Sequence, residues 1–166
     1  MDDPYFKLRP EPPTPEDELC ACQPPRVWKL MWALGSNPVH CTRCNLEIRP
    51  EELQLSLALV EAVANWRCVW GSIELLWLDS GHYEAWALAE LANLDSAANQ
   101  RGRAVVEQLS AVNPCYFQCF EDQSAEEWQP LQVCPSCEDP LTSYAPGSFA
   151  YCLCDQCGLL FWAERD

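Results

Sequence analysis

Cys134-Pro135-Ser136-Cys137 is followed, sixteen residues later, by Cys154-Asp155-Gln156-Cys157-Gly158. Two Cys-x-x-Cys knuckles at the ends of a short hairpin bring four thiols to one point. Zinc prefers four soft ligands in a tetrahedron, and a knuckle supplies two of them while its backbone N–H groups hydrogen-bond the sulfurs. Gly158 suits the positive φ that the turn after a knuckle needs. A redox Cys-x-x-Cys would belong in a βαβ setting, and this segment has no helical period. Its apolar runs are short and β-like: Leu141 to Tyr144, Phe149 to Leu153 and Leu159 to Trp162, separated by Pro146-Gly147-Ser148 and by the second knuckle. The spacing predicts a structural zinc ribbon, in which the ion replaces a core too small to fold unaided.

The other end of the chain repeats the theme. Cys20-Ala21-Cys22 precedes Cys41-Thr42-Arg43-Cys44 by eighteen residues, and Asn45, which tolerates the left-handed region, takes the place of the glycine. Val27 to Leu34 and the Gly35-Ser36-Asn37-Pro38 turn lie between the pairs and read as a hairpin. Here two alternatives stay open: His40 is a substitute ligand, and the whole set is otherwise a hairpin with spare thiols. With four sulfurs at each site neither ion keeps an open position, so the expected pair of zinc ions is structural. Of the remaining cysteines, Cys68 falls in a helical apolar run and is expected to pack. Cys152 shares a strand face with Cys154 and is a neighbour of that site or a competing ligand.

Between the two sets the period changes to that of helices. Pro50, with Glu51 and Glu52 behind it, marks a helix start, and Leu53, Leu57, Val60 and Ala64 form a stripe opposite Gln54, Glu61 and Asn65. This helix is expected to be mostly buried. Val69, Ile73, Leu76 and Trp77 continue to the break at Asp79-Ser80-Gly81. Tyr83, Ala87, Leu91 and Leu94 follow, and Asp95 or Ser96 caps a last helix bearing Val105, Leu109 and Val112. Asn113-Pro114 ends it, and Cys115 to Phe120 reads as a strand. The class is therefore α+β, a helical centre with zinc-ribbon hairpins contributed by both ends. Its segments are an acidic, proline-rich tail (1–19), an N-terminal ribbon (20–49), a helical region (50–114) and a β-rich segment with the C-terminal ribbon (115–166).

Composition narrows the function. The 166 residues carry 25 Asp and Glu against 10 Lys and Arg, a formal charge of −15, so nucleic acid would be bound against the field of the whole molecule. Met1-Asp2-Asp3-Pro4 has no basic and apolar leader character, and twelve cysteines in a reducing cytoplasm are read as metal ligands before disulfides. Leu53 to Leu78, the longest apolar stretch, is interrupted by Gln54, Glu61, Asn65, Arg67 and Glu74, so no membrane span is expected.

One pattern points to catalysis. His82-Tyr83-Glu84, followed 29 residues on by Pro114-Cys115 and then Cys119, resembles the signature of zinc-dependent nucleobase deaminases, and that resemblance implies His82, Cys115 and Cys119 as ligands with Glu84 as general acid and base. Three residues rather than two separate the cysteines, and a helical stripe stands where the deaminase strand belongs. His82 and Glu84 equally suit the first turn of a helix.

Leu76-Trp77-Leu78-Asp79-Ser80-Gly81-His82-Tyr83-Glu84-Ala85-Trp86-Ala87, the Asn99 to Gly102 segment, Cys115-Tyr116-Phe117 and the closing ribbon together resemble a proteobacterial family of zinc-ribbon-containing proteins of unknown function whose description carries a nucleic-acid-binding clause. The resemblance implies a non-enzymatic binding protein. This sequence departs from the clause: Arg26, Lys29, Arg43, Arg49, Arg101 and Arg103 are its only basic footing before Arg165 along the two ribbons and the last helix, and Glu121, Asp122, Glu126, Glu127, Glu138 and Asp139 flank the C-terminal ribbon. The complement of such a surface is a basic protein, the toxin-like partner of immunity proteins and antitoxins, which are small, acidic and cytoplasmic. A nucleic-acid or transcription-associated ribbon is the alternative. Among the tryptophans, Trp70, Trp77 and Trp86 fit buried stripes. Trp28, Trp32, Trp128 and Trp162 lie in hairpins or loops, and Trp128 is the first choice for a partner anchor.

Overall fold

A computed structural model describes residues 13–33, 37–124 and 128–164. In chain order these form β1 (Trp28–Leu30), β2 (Val39–Cys41), the one-turn helix α1 (Pro50–Leu53), α2 (Leu57–Asp79), α3 (Glu84–Ala92), α4 (Ala97–Ser110), β3 (Cys115–Gln118), β4 (Thr142–Tyr144), β5 (Tyr151–Cys154) and β6 (Leu159–Trp162). The class is mixed α and β. Most of the tail predicted over 1–19 lies outside the described residues, but Glu16–Glu18 form a 3₁₀ turn and Glu16 pairs with Arg49.

All six strands belong to one sheet, in the order β2-β1-β3-β6-β5-β4. The two ribbons are thus not separate hairpins lying side by side: β3, between them, pairs parallel with β1 on one flank and with β6 on the other. β2 continues antiparallel beyond β1, and β5 and β4 continue antiparallel beyond β6. Period-two alternation sorts the faces. Trp28, Leu30, Cys115, Phe117, Leu159 and Phe161 join the main core with the helices. The opposite face carries a small second core of Tyr151, Leu153 and Leu160, with Tyr116, Tyr144, Phe149 and Trp162 packed against it.

Lys29 lies within this second face and is fully buried. Its ammonium donates to Gln118 Oε1 at 2.6 Å, to Tyr151 Oη at 3.2 Å and to Asn45 Oδ1, and it stands 4.9 Å from the ring centroids of both Tyr151 and Trp162. Burial pushes it down to about 7, against the pull of Cys41 and Cys44. The loop after β4 returns across this face to the N-terminal knuckle, where Ser148 N donates to Arg43 O at 3.3 Å. Gly147 permits that approach, because a Cβ there would stand 2.3 Å from the Arg43 carbonyl oxygen.

The helices cover the main core by a different stripe from the one read in the sequence. Gln54 takes a left-handed conformation and ends α1, so α2 starts afresh with Ser56 Oγ accepting from Leu59 N. The restart changes the phase. Leu59, Val63, Trp66 and Trp70 are buried, whereas Leu57 is 74% and Val60 46% exposed, and the helix is half buried rather than mostly so. Val69 and Tyr83 are exposed too, and Trp86, expected in a buried stripe, is 50% exposed. Trp28 lies in the β1–β2 hairpin, as its position predicted, and its ring is buried.

Ser96 caps α4 through Asn99 N, as its position predicted, and Val105 and Leu109 are buried, though Val112 is exposed. Asn99 joins three helices: its Nδ2 donates to Leu91 O (2.8 Å) and Asn93 O (2.9 Å) at the end of α3, while its Oδ1 accepts from Trp70 Nε1 (3.0 Å) on α2. Among the described residues no helix is long and apolar enough to cross a membrane.

Candidate metal centres

Cys20, Cys22, Cys41 and Cys44 converge, and so do Cys134, Cys137, Cys154 and Cys157; within each group the ligand atoms all lie within 4.8 Å of one another. A tetrahedron built on Zn–S bonds of about 2.3 Å has an edge of about 3.8 Å. Cys137 Sγ and Cys154 Sγ are 3.6 Å apart, close to that edge and far from a bonded pair. All twelve cysteines are free thiols. Each group can therefore hold one metal ion, and four soft sulfurs suit zinc.

The local backbone explains the convergence. In three knuckles the residue after the second cysteine turns left-handed: Asn45 at φ 62°, Glu138 at 63° and Gly158 at 64°. Asn45 and Gly158 were legible in advance, whereas Glu138 is an unusual residue for that region. The turns are closed by Asn45 N to Cys41 O and by Glu138 N to Cys134 O, both 2.8 Å. The fourth pair, Cys20-Ala21-Cys22, is too tight for a knuckle and is tied down instead by Cys20 N donating to Glu47 O at 2.7 Å.

The first cysteine of each set is favoured as a thiolate. Burial raises Cys134, yet the Ser136 and Cys137 backbone N–H groups and then the Cys154 and Cys137 thiols outweigh it and hold the thiol below its ordinary value. Cys20 is likewise lowered despite burial, by the Cys22 N–H, the Cys44 thiol and the Arg26 guanidinium. Burial, and then the neighbouring sulfurs of Cys20 and Cys41, push the Cys44 thiol up. A dication among these sulfurs reverses that repulsion and favours the thiolates together.

Arg26 is a neighbour the sequence reading missed. Its Nη1 lies 3.9 Å from Cys20 Sγ while its Nη2 donates to Glu52 Oε2 at 2.5 Å. An arginine four residues after the Cys-x-Cys pair was the available signal. Lys29, in contrast, alternates with Trp28 and Leu30 and so reads as an exposed residue.

Both groups sit at the same end of the sheet. Trp28, at the start of β1, pairs with Cys41, and Leu159, at the start of β6, pairs with Cys154. The parallel strands β1, β3 and β6 all run away from the metal centres.

The other predicted ligands fall elsewhere. His40 turns its Nδ1 to Asn45 O at 3.0 Å and belongs to neither group. His82 and Glu84 are exposed, with Glu84 Oε1 accepting from Gly81 N, whereas Cys115 and Cys119 are buried in and after β3. Among the described residues the two cysteine groups are the only convergent ligand sets of three or more, and His82, Cys115 and Cys119 do not form one. Cys152 is half-buried, paired with Phe161 and outside the C-terminal group. Cys68, expected to pack, is exposed on α2. Trp128 is half-buried and bonds to the Glu121 carboxylate.

Compared with protein-family models, curated proteins and solved structures, the chain matches none.

Proposed function

We propose that the chain is a non-catalytic, zinc-stabilised acidic protein of the bacterial cytoplasm that binds a basic protein and blocks or positions it, in the manner of immunity proteins and antitoxins. The observation that carries this reading is the fate of the basic residues in the N-terminal segment. Lys29 is buried inside the sheet, Arg26 is paired with Glu52, and Arg49 is paired with Glu16 and Glu52. Of the four cations that offered a footing for phosphate there, three are committed within the protein. On α4, Arg103 shares its groove with Glu107 and Asp155. The remaining field is that of a formal charge of −15, which favours encounter with a basic surface and disfavours a polyanion.

The zinc-loaded chain can be titrated against basic protein domains encoded beside it, and against duplex DNA and single-stranded RNA, between about 50 and 200 mM salt. A stoichiometric complex with a basic domain, with that domain's activity inhibited, is the expected result. A nucleic-acid complex that survives the higher salt would refute the proposal.

A further inference from the structure

At the carboxyl ends of β1, β3 and β6, opposite the metal centres, a cavity of about 210 Å³ opens between the sheet and α2. Crevices beyond the carboxyl ends of parallel strands are where open sheets commonly take ligands. Aromatic surface comes from three sides: Trp32 follows β1, Phe120 follows β3 and Trp77 enters from α2, while Trp162, whose ring belongs to the opposite face, borders the cavity at the end of β6. Trp77 and Phe120 meet edge to face with centroids 4.9 Å apart.

Two carboxylates enter this aromatic wall, and they differ. Glu121 is engaged, its Oε2 accepting from Trp162 N at 2.7 Å and its carboxylate from the Trp128 side chain. Glu74 Oε2 is shut off from solvent and has no hydrogen-bond partner among the described residues. An acceptor left this way is costly unless a donor arrives. Burial pushes Glu74 up to about 7, the expected response of a carboxyl without a counter-charge.

We infer that this cavity binds an arginine side chain of a basic partner, its guanidinium lying against the tryptophan faces and donating to Glu74. Aromatic faces attract cations, and a planar guanidinium both stacks on an indole and donates to a carboxylate. The protein already holds one of its own cations against Trp162 and Tyr151, that of Lys29. The identity of the ligand rests on the proposed basic partner, whereas the chemistry of the cavity stands by itself.

The test uses the zinc-loaded full chain and follows tryptophan indole N–H resonances during titration with N-acetyl-arginine amide, with its uncharged citrulline counterpart and with the lysine compound. Saturable shifts of the Trp32 and Trp77 indoles are expected with the arginine compound and not with citrulline. Glu74→Gln should weaken that binding at least about tenfold, the loss of one charge-assisted contact, while Glu51→Gln on exposed α1 leaves it unchanged. Equal effects of citrulline, no saturable shift, or indifference to Glu74→Gln overturn the site, and tighter binding of the lysine compound overturns the assignment to guanidinium. A basic protein that binds wild type and Glu74→Gln alike removes the cavity proposal and leaves the partner reading standing. Arginine amide held by a chain that no basic protein binds does the reverse.

Discussion

Thr42 Oγ1 and Tyr144 Oη lie 3.2 Å apart, although β2, which Thr42 follows, and β4, which Tyr144 ends, are the two outer strands of a six-stranded sheet. The sheet twists far enough for a side chain of one outer strand to reach the residue that follows the other, and the fully buried Lys29 lies on the face that carries Tyr144 and Tyr151. The same contact ties the N-terminal knuckle, inside which Thr42 sits, to the end of β4, which lies level with Tyr151 and Trp162. Tyr144→Phe keeps the ring and removes the hydroxyl, so a loss of about 0.5–1.5 kcal/mol is expected in urea unfolding. If Thr42→Val has already been made, the second change should cost markedly less, which a double-mutant cycle reads directly.

Metal content follows from the two sulfur tetrads. Elemental analysis of protein purified under reducing conditions should give about two zinc ions per chain. Cys134→Ser or Cys157→Ser should lower this to about one and release the β4–β6 region. Structural zinc contributes on the order of 10 kcal/mol, more than the small second core can replace. Hydrogen exchange should then show lost protection across β5 and β6.

Gly102 marks the closest approach of α4 to the core. A Cβ at this position would lie 2.4 Å from Phe117 Cε2 and 2.6 Å from Trp66 Nε1, and both rings are buried. Gly102→Ala gains about 1 kcal/mol of helix propensity but forces an overpacked core, which costs about 1–3 kcal/mol. The two rings leave little room to yield, so a lower midpoint of chemical denaturation is expected.

Glu74 makes stability depend on pH in a direction opposite to that of a paired carboxylate. Its folded value is raised to about 7 from an ordinary 4.5 by burial, so between these values the folded state holds a proton that the unfolded chain has released. Stability contributed by this group is therefore present at acid pH and is lost as pH rises through about 7. Glu74→Gln removes the charge, so the variant should unfold at a higher temperature than wild type at pH 8, with the difference closing near pH 4. Thermal scans across that range check it.

Much of the candidate site was legible because thiol chemistry is local. Two cysteines separated by two residues, followed by Asn45 or Gly158, define a turn whatever surrounds it, and those left-handed positions were recognised on that ground. Glu138 has the same conformation with no glycine or asparagine to announce it. The helical region was less legible. Its apolar residues cover nearly the whole circumference of α2, so the sequence does not say which stripe is buried. The left-handed Gln54 then shifted the phase of α2 relative to Leu53, placing Leu57 in solvent and Leu59 in the core.

By itself, the sequence determined the C-terminal four-cysteine group, the helical centre and the acidic composition, since each depends on neighbouring residues or on composition alone, and it left His40 open as a substitute ligand in the N-terminal set. Only the tertiary structure decided that both ribbons share one sheet through β3, that Lys29 is enclosed rather than exposed, and that Glu74 meets an aromatic wall at the far end of the strands. Those outcomes depend on pairings between residues as distant as Lys29 and Tyr151. The free energy of such contacts is set by burial and by which donors find acceptors after the chain has closed on itself, and no local spacing records it.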